Sequence, residues 1–183
     1  TFLLQIFFLN KRFLAMKDAL KQADNVLDRS IYEDSLLFHL NADLGRVSQQ
    51  EVLQYDNLLD TMLKELETAA PKKRPDLMVH IKVSFDVMLD RIEKRGRDYE
   101  QIAANPELHD YYRMVNERYE QWYDSFDICP KIQIDGDRYD FVADPQAAET
   151  VIKLIKEETN KLNQQELKSP RYYSNGNIEK GIF

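Results

Sequence analysis

Asn25-Val26-Leu27-Asp28-Arg29-Ser30-Ile31-Tyr32-Glu33-Asp34 is the stretch on which the fold turns. Val26 and Leu27 predict the end of a short buried strand. Ser30, with Glu33 three residues on, has the spacing of a capping box. A helix is therefore predicted from Ile31 into the apolar run Leu36-Leu37-Phe38. In an open α/β sheet, ligands sit just beyond the carboxyl ends of the strands. Asp28 and Arg29, side by side at such a strand-to-helix turn, are placed for metal and phosphate chemistry. An exposed loop ion pair is the plainer account of the same two residues.

Upstream, Thr1 to about Gln22 reads as a buried helix, apolar on nearly all sides through its first three turns. Gln5 and Arg12 are the exceptions. They stand seven residues apart, close to two turns, so both point the same way. Such a polar stripe needs partners. Arg12 can snorkel outward while Gln5 bonds a nearby backbone. The pair can equally form a slot for a flat ligand, since amide and guanidinium forks suit the edge of a nucleobase.

Downstream, Gly45 and the Ser48–Glu51 capping box mark a break and a restart. The helix from about Gln50 to Thr68 carries Val52, Tyr55, Leu59, Met62 and Leu66 at three- and four-residue steps, one apolar stripe. Lys72-Lys73-Arg74 reads as a solvated loop. A strand follows from Leu77 to Val83, and Ser84 caps a helix to about Lys94. Arg91 and Arg95 share a face of that helix, Gly96 ends it, and Arg97 lies just beyond. Three arginines around a helix end and a glycine make a candidate phosphate clamp on a lid. A charged surface balanced by Asp90, Glu93 and Asp98 is the alternative. Asn105-Pro106 starts a helix to about Phe126 with an aromatic stripe, Tyr112, Val115, Tyr119, Trp122 and Phe126. A strand from Lys131 to Ile134 ends at Asp135-Gly136. Asp144-Pro145 starts a last helix to about Leu162, and a polar tail follows from Asn163 to Phe183. His39, His80 and His109 have no second ligand at metal-binding spacing.

Strands alternating with helices predict an α/β fold, a parallel sheet with helices on both faces. A net charge of −7 argues against nucleic acid or an anionic membrane as partner. A single cysteine, Cys129, excludes an internal disulfide and points to the reducing cytoplasm. No transmembrane span is apparent. The five glycines cannot be assembled into a G-x-x-x-x-G-K-[ST] phosphate loop. The chain opens at Thr1 inside a pattern that already looks helical, so further residues are expected before it, the remaining strands among them.

Four motifs, in order, resemble those of the deoxynucleoside kinases, most closely the bacterial purine deoxynucleoside kinases: Phe2-Leu3-Leu4-Gln5 with Arg12; Asp28-Arg29-Ser30 with Asp34; Arg91-x-x-x-Arg95-Gly96-Arg97; and Asp135-Gly136-Asp137 leading to Asp140-Phe141. The resemblance runs from Thr1 to about Leu162 and implies a P-loop kinase-like, three-layer α/β kinase domain over 1–162 with a tail over 163–183. It implies transfer of the ATP γ-phosphate to the 5′-hydroxyl of a purine deoxynucleoside, deoxyadenosine or deoxyguanosine, with deoxycytidine as a further option, in nucleotide salvage. Gln5 would bond the base, Arg12 and Asp34 would hold one another and its far edge, and Phe38 would pack on its ring. Asp28 would help hold Mg²⁺, and Arg29 would sit near the 5′-hydroxyl and the phosphates. Arg91, Arg95 and Arg97 would close over the donor phosphates, Glu100 would reach the sugar 3′-hydroxyl, and Asp140 and Phe141 would line the donor adenine. The family's P-loop and general base would precede Thr1. A homodimer is implied, through the helices after Ser30 and after Pro106.

Thymidylate kinases share an Asp-Arg motif and an arginine lid, but Gln5, Arg12 and Asp34 suit a neutral nucleoside better than a monophosphate. A non-catalytic relative that binds a nucleoside or a partner protein is the reading from another class. Gln5 can pair with adenine, guanine or cytosine by turning its amide, so the base stays open among these.

Overall fold

The computed structural model describes residues 2–21, 25–69 and 75–168. Thr1, Lys72-Lys73-Arg74 and the tail beyond 168 lie outside them. The described elements are α1 (Phe2–Ala19), α2 (Ile31–Asp43), α3 (Gln49–Ala69), β1 (Met78–Lys82), α4 (Phe85–Arg95), α5 (Leu108–Ser125), β2 (Lys131–Asp135) and α6 (Pro145–Lys168). A 3-10 turn, Asp98–Glu100, lies between α4 and α5.

β1 and β2 pair in parallel, from Met78 opposite Lys131 to Lys82 opposite Asp135. Parallel neighbours need a crossover connection, and the segment carrying α4 and α5 supplies it. The expected α/β class stands. The strand expected at Val26-Leu27 does not: residues 25–27 pair with no strand among the described residues, and Val26 is 96% exposed. An apolar dipeptide becomes a strand only where a neighbouring ladder takes up its backbone groups.

α1, α2 and α3 pack on one another, α2 also packs on α5, and α5 on α4. Their core is Leu9 and Met16 from α1, Ile31 and Phe38 from α2, and Tyr55 and Leu66 from α3. α1 is not the buried helix its composition suggests. Leu9 and Met16 alone are buried on it, while Leu3 is 81% and Phe7 52% exposed. One face meets α2 and α3, and the opposite apolar face looks outward.

The two predicted capping boxes differ. At Ser48 the box forms: the Ser48 N–H donates to Glu51 Oε2 at 2.8 Å, and the Glu51 N–H to Ser48 Oγ at 3.3 Å. At Ser30 it does not, although the helix begins at Ile31 as expected; the Ser30 side chain makes no cap bond. Glu33 is drawn to other partners. Ser84 caps α4 by accepting from the Val87 N–H, and Gly96 ends α4 at φ 67°. α5 begins two residues later than Pro106 suggested, because Asn105 Oδ1 accepts from the Glu107 N–H in a turn of its own.

Two compact units divide the chain after Arg138. In the second, Asp140 Oδ1 accepts from the Ala143 N–H at 3.2 Å and Asp144 Oδ1 from the Gln146 N–H at 2.9 Å, which leads into α6. α6 continues past Leu162 to Lys168.

Candidate active site

α1, α2 and α5 enclose a cavity of about 190 Å³. Its walls are Gln5, Phe8 and Arg12 from α1, Arg29, Glu33, Asp34 and Leu37 from the opening stretch and α2, and Tyr119 from α5. Gln5 and Arg12 reach it together because they lie two turns apart on one helix face. Arg12 Nη1 pairs with Asp34 Oδ1. The Asp34 side chain is wholly buried, and a buried carboxylate persists only when paired and hydrogen-bonded. Tyr55 supplies the second bond by donating its hydroxyl to Asp34 Oδ2.

Arg29 holds the left-handed backbone conformation, φ 63°, alone among the described non-glycine residues. Such conformations are uncommon outside glycine and cluster at functional sites. Its Nε stands 3.7 Å from Glu33 Oε1, which also accepts from the Tyr119 hydroxyl at 3.3 Å. Burial pushes the Glu33 carboxyl above its ordinary value of 4.5, against the pull of Arg29. Burial likewise pushes the Tyr119 phenol up to about 12. Asp28 is exposed beside Arg29.

The structure puts Phe38 elsewhere than expected. It is wholly buried, stacked on Tyr55 with ring centroids 4.1 Å apart, and is not on the cavity wall. Position 38 falls one turn beyond Asp34, on the side of α2 that meets α3. Phe8 is the aromatic ring that lines the cavity.

The arginine cluster forms a second group. Arg95 Nη2 pairs with Glu100 Oε2 at 2.6 Å, and Arg97 Nη1 with Glu100 Oε1 at 3.3 Å. One carboxylate thus ties the two arginines that flank Gly96. Glu100 is the tie within this group and does not line the cavity between α1, α2 and α5. Arg91 Nη2 donates to the Gly136 carbonyl at 2.6 Å, which fastens α4 to the turn after β2. A further cavity of about 330 Å³, at the carboxyl ends of β1 and β2, is lined by Lys82, Ser84, Gln133, Asp135 and Asp137. In the second unit, Asp140 is exposed and closes its own turn, with Phe141 half-buried next to it.

The site holds three residues that the sequence reading left in apolar stripes or caps: Tyr55, Tyr119 and Glu33. A tyrosine at helical spacing looks the same whether its hydroxyl meets water or a carboxylate, so periodicity carried no signal for them. Among the described residues, no cluster of three His, Cys, Asp or Glu side chains is poised to hold a metal. Magnesium does not require one, since it takes one or two carboxylates along with waters and phosphate oxygens. Asp28, an exposed carboxylate beside a phosphate-suited arginine, fits that donor set.

A family model described as Deoxynucleoside kinase matches residues 1–160. A deoxyguanosine kinase of Lactobacillus johnsonii is 52% identical over 154 residues, 84% of this chain and 68% of that relative. A deoxyadenosine kinase of Lactobacillus acidophilus is 43% identical over 162 residues, 88% of this chain and 75% of that relative. Among solved structures, the deoxyadenosine kinase from M. mycoides with bound dATP superposes with a TM-score of 0.64 at 27% identity. The match covers 87% of this chain and 74% of that one.

Proposed function

The chain belongs to the deoxynucleoside kinase family, ATP-dependent phosphotransferases, and we propose that it phosphorylates the 5′-hydroxyl of a purine deoxynucleoside in nucleotide salvage. The observation that carries this reading is the cavity that gathers Gln5, Arg12, Asp34 and Arg29 on one set of walls. Gln5 offers a donor and an acceptor to a base edge. Arg12, fixed by Asp34, offers donors beside it. Arg29, half-exposed at the mouth of the turn, supplies positive charge where the 5′-hydroxyl meets the donor phosphate. The relatives at 52% identity are named deoxyguanosine kinases and one at 43% a deoxyadenosine kinase, which favours deoxyguanosine over deoxyadenosine and either over deoxycytidine.

Phosphoryl transfer asks a protein for alignment and charge neutralisation more than for covalent chemistry. Arg29 stabilises charge on the transferring group. Arg95 and Arg97, held ready by Glu100, close over the donor phosphates, with Arg91 anchoring their helix. Asp28 would hold Mg²⁺ through water, and the bound ion supplies neutralisation of the phosphate oxygens.

The protein acts as a homodimer in the cytoplasm. α2 buries Ile31, Leu36, Phe38 and Leu40 within its own chain and packs on α5. The apolar face left outward is that of α1, with Leu3, Leu4 and Phe7, and this face is the better surface for a second copy. No described helix is long and apolar enough to cross a membrane, and Cys129, buried, is the single cysteine of the sequence, in keeping with a reducing compartment.

The test is phosphate transfer from ATP-Mg²⁺ to each of the four deoxynucleosides. Fastest turnover on deoxyguanosine, then deoxyadenosine, is expected. Turnover confined to thymidine, or to nucleoside monophosphates, would overturn the assignment.

A further inference from the structure

Tyr55 has no part in the phosphoryl transfer and does not line the cavity, yet it is a wholly buried side chain with a polar tip in an apolar core. Its ring is fixed by a stack on Phe38, 4.1 Å between centroids and 23° between planes, and by the edge of His39 at 6.5 Å. Its hydroxyl reaches from α3 to Asp34 Oδ2 on α2. The other Asp34 oxygen pairs with Arg12 on α1. Three helices thus meet at one carboxylate. A phenol in this position could point to bulk solvent only by unstacking its ring, so the bond to Asp34 is built into the core.

We propose that Tyr55 is a positioning residue for base selection: its hydroxyl fixes the Asp34 carboxylate, which fixes the Arg12 guanidinium at the cavity wall, and the set decides which base edges are accepted. Burial raises the Tyr55 phenol above its ordinary value of 10.0, so it stays a donor throughout the working range. An ionised carboxylate is acceptor-only. With one oxygen taken by Tyr55 and the other by Arg12, Asp34 cannot turn to suit a base that lacks an amino group. Adenine, guanine and cytosine carry such a group, and thymine does not. Without the hydroxyl, the carboxylate is one hydrogen bond short in a buried place and is free to rotate, and Arg12 rotates with it.

This inference rests on the reading of Arg12 and Asp34 as base-edge residues. The experiment therefore compares Tyr55→Phe, Asp34→Asn and the double variant in the full chain. It measures kcat and KM separately for each of the four deoxynucleosides, with a melting curve for each protein. Tyr55→Phe keeps the ring and the stack. Its discrimination between the preferred purine deoxynucleoside and thymidine should fall by about tenfold or more, the worth of one hydrogen bond to a charged group, with the loss mainly in KM. The double variant should discriminate no worse than Asp34→Asn alone, because both act on one element. If Asp34→Asn alters the base profile and Tyr55→Phe does not, Tyr55 is core filling and the inference fails. If neither alters it, the base-edge reading itself fails and takes the inference with it. Tyr55→Met, which fills the space with a flexible side chain lacking a hydroxyl, gives the same comparison should the phenylalanine variant not fold.

Discussion

Arg29 carries two burdens at once. Its side chain faces a cavity wall and its backbone sits at φ 63°, a region that disfavours a residue with a Cβ by about 1–2 kcal/mol. The two can be separated. Arg29→Gly relieves the backbone and removes the charge, so the variant should melt no lower than wild type while turnover drops by about a hundredfold or more. Arg29→Ala should lose the same activity without the backbone relief. Melting curves beside steady-state assays check both. Glu33, four residues on, tests the electrostatics. Burial raises its folded-state pKa above the ordinary 4.5. A raised pKa means that the folded state holds the proton more tightly. The contribution to stability is then full below the unfolded value and is lost as pH rises through the folded one. Glu33→Gln, neutral at every pH, should melt above wild type at neutral pH. The gap should close as pH falls past 4.5. A gap that is constant with pH would show that burial is not what perturbs Glu33.

At the scale of elements, the ends of helices decide more than their interiors. Ser48 caps α3 with a bond its own hydroxyl makes, and Ser30 stands before α2 without one. Ser48→Ala should destabilise by about 1 kcal/mol, while Ser30→Ala should change stability by no more than a few tenths. Paired denaturant titrations will separate them. The two glycines of the arginine group differ in kind. Gly96 is left-handed with open space around it, the nearest atom to an added Cβ being a carbonyl at 4.0 Å. Gly136 has an ordinary backbone, but a Cβ there would meet the Lys82 carbonyl at 2.8 Å and Val83 Cγ1 at 2.7 Å. Gly96→Ala should lose about 1 kcal/mol by conformation alone. Gly136→Ala should lose about 1–3 kcal/mol by overpacking, and it should also disturb the bond from Arg91 to the Gly136 carbonyl. KM for ATP should therefore rise in Gly136→Ala, with the nucleoside KM little moved.

For the whole molecule, the outward apolar face of α1 is the feature that one chain leaves unresolved. Exposed clusters of large apolar side chains mark association surfaces in soluble proteins. If the proposed dimer forms through that face, Phe7→Glu, away from the core pair Leu9 and Met16, should leave a monomer without loss of helix content. Sedimentation across a dilution series measures the first and circular dichroism the second. If Phe7→Glu sediments as wild type does, the second copy sits elsewhere.

The sequence by itself determined the α/β class, the parallel pair, the start of α2 at Ile31, the αL glycine at the end of α4, and the shared face of Gln5 and Arg12 on α1. Each depends on local periodicity, on a helix terminus, or on spacing along one helix. It misjudged Val26-Leu27 as strand, α1 as buried and Ser30–Glu33 as a closed capping box. In every one of these, a partner remote in the chain decides the outcome. Glu33 leaves its cap for Arg29 and for Tyr119, 86 positions away. Phe38 turns to Tyr55, and the Tyr55 hydroxyl, hidden in an apolar stripe, turns to Asp34. A helical repeat says which residues share a face. Only packing says what that face meets, because burial and hydrogen bonding are settled between elements and not within them.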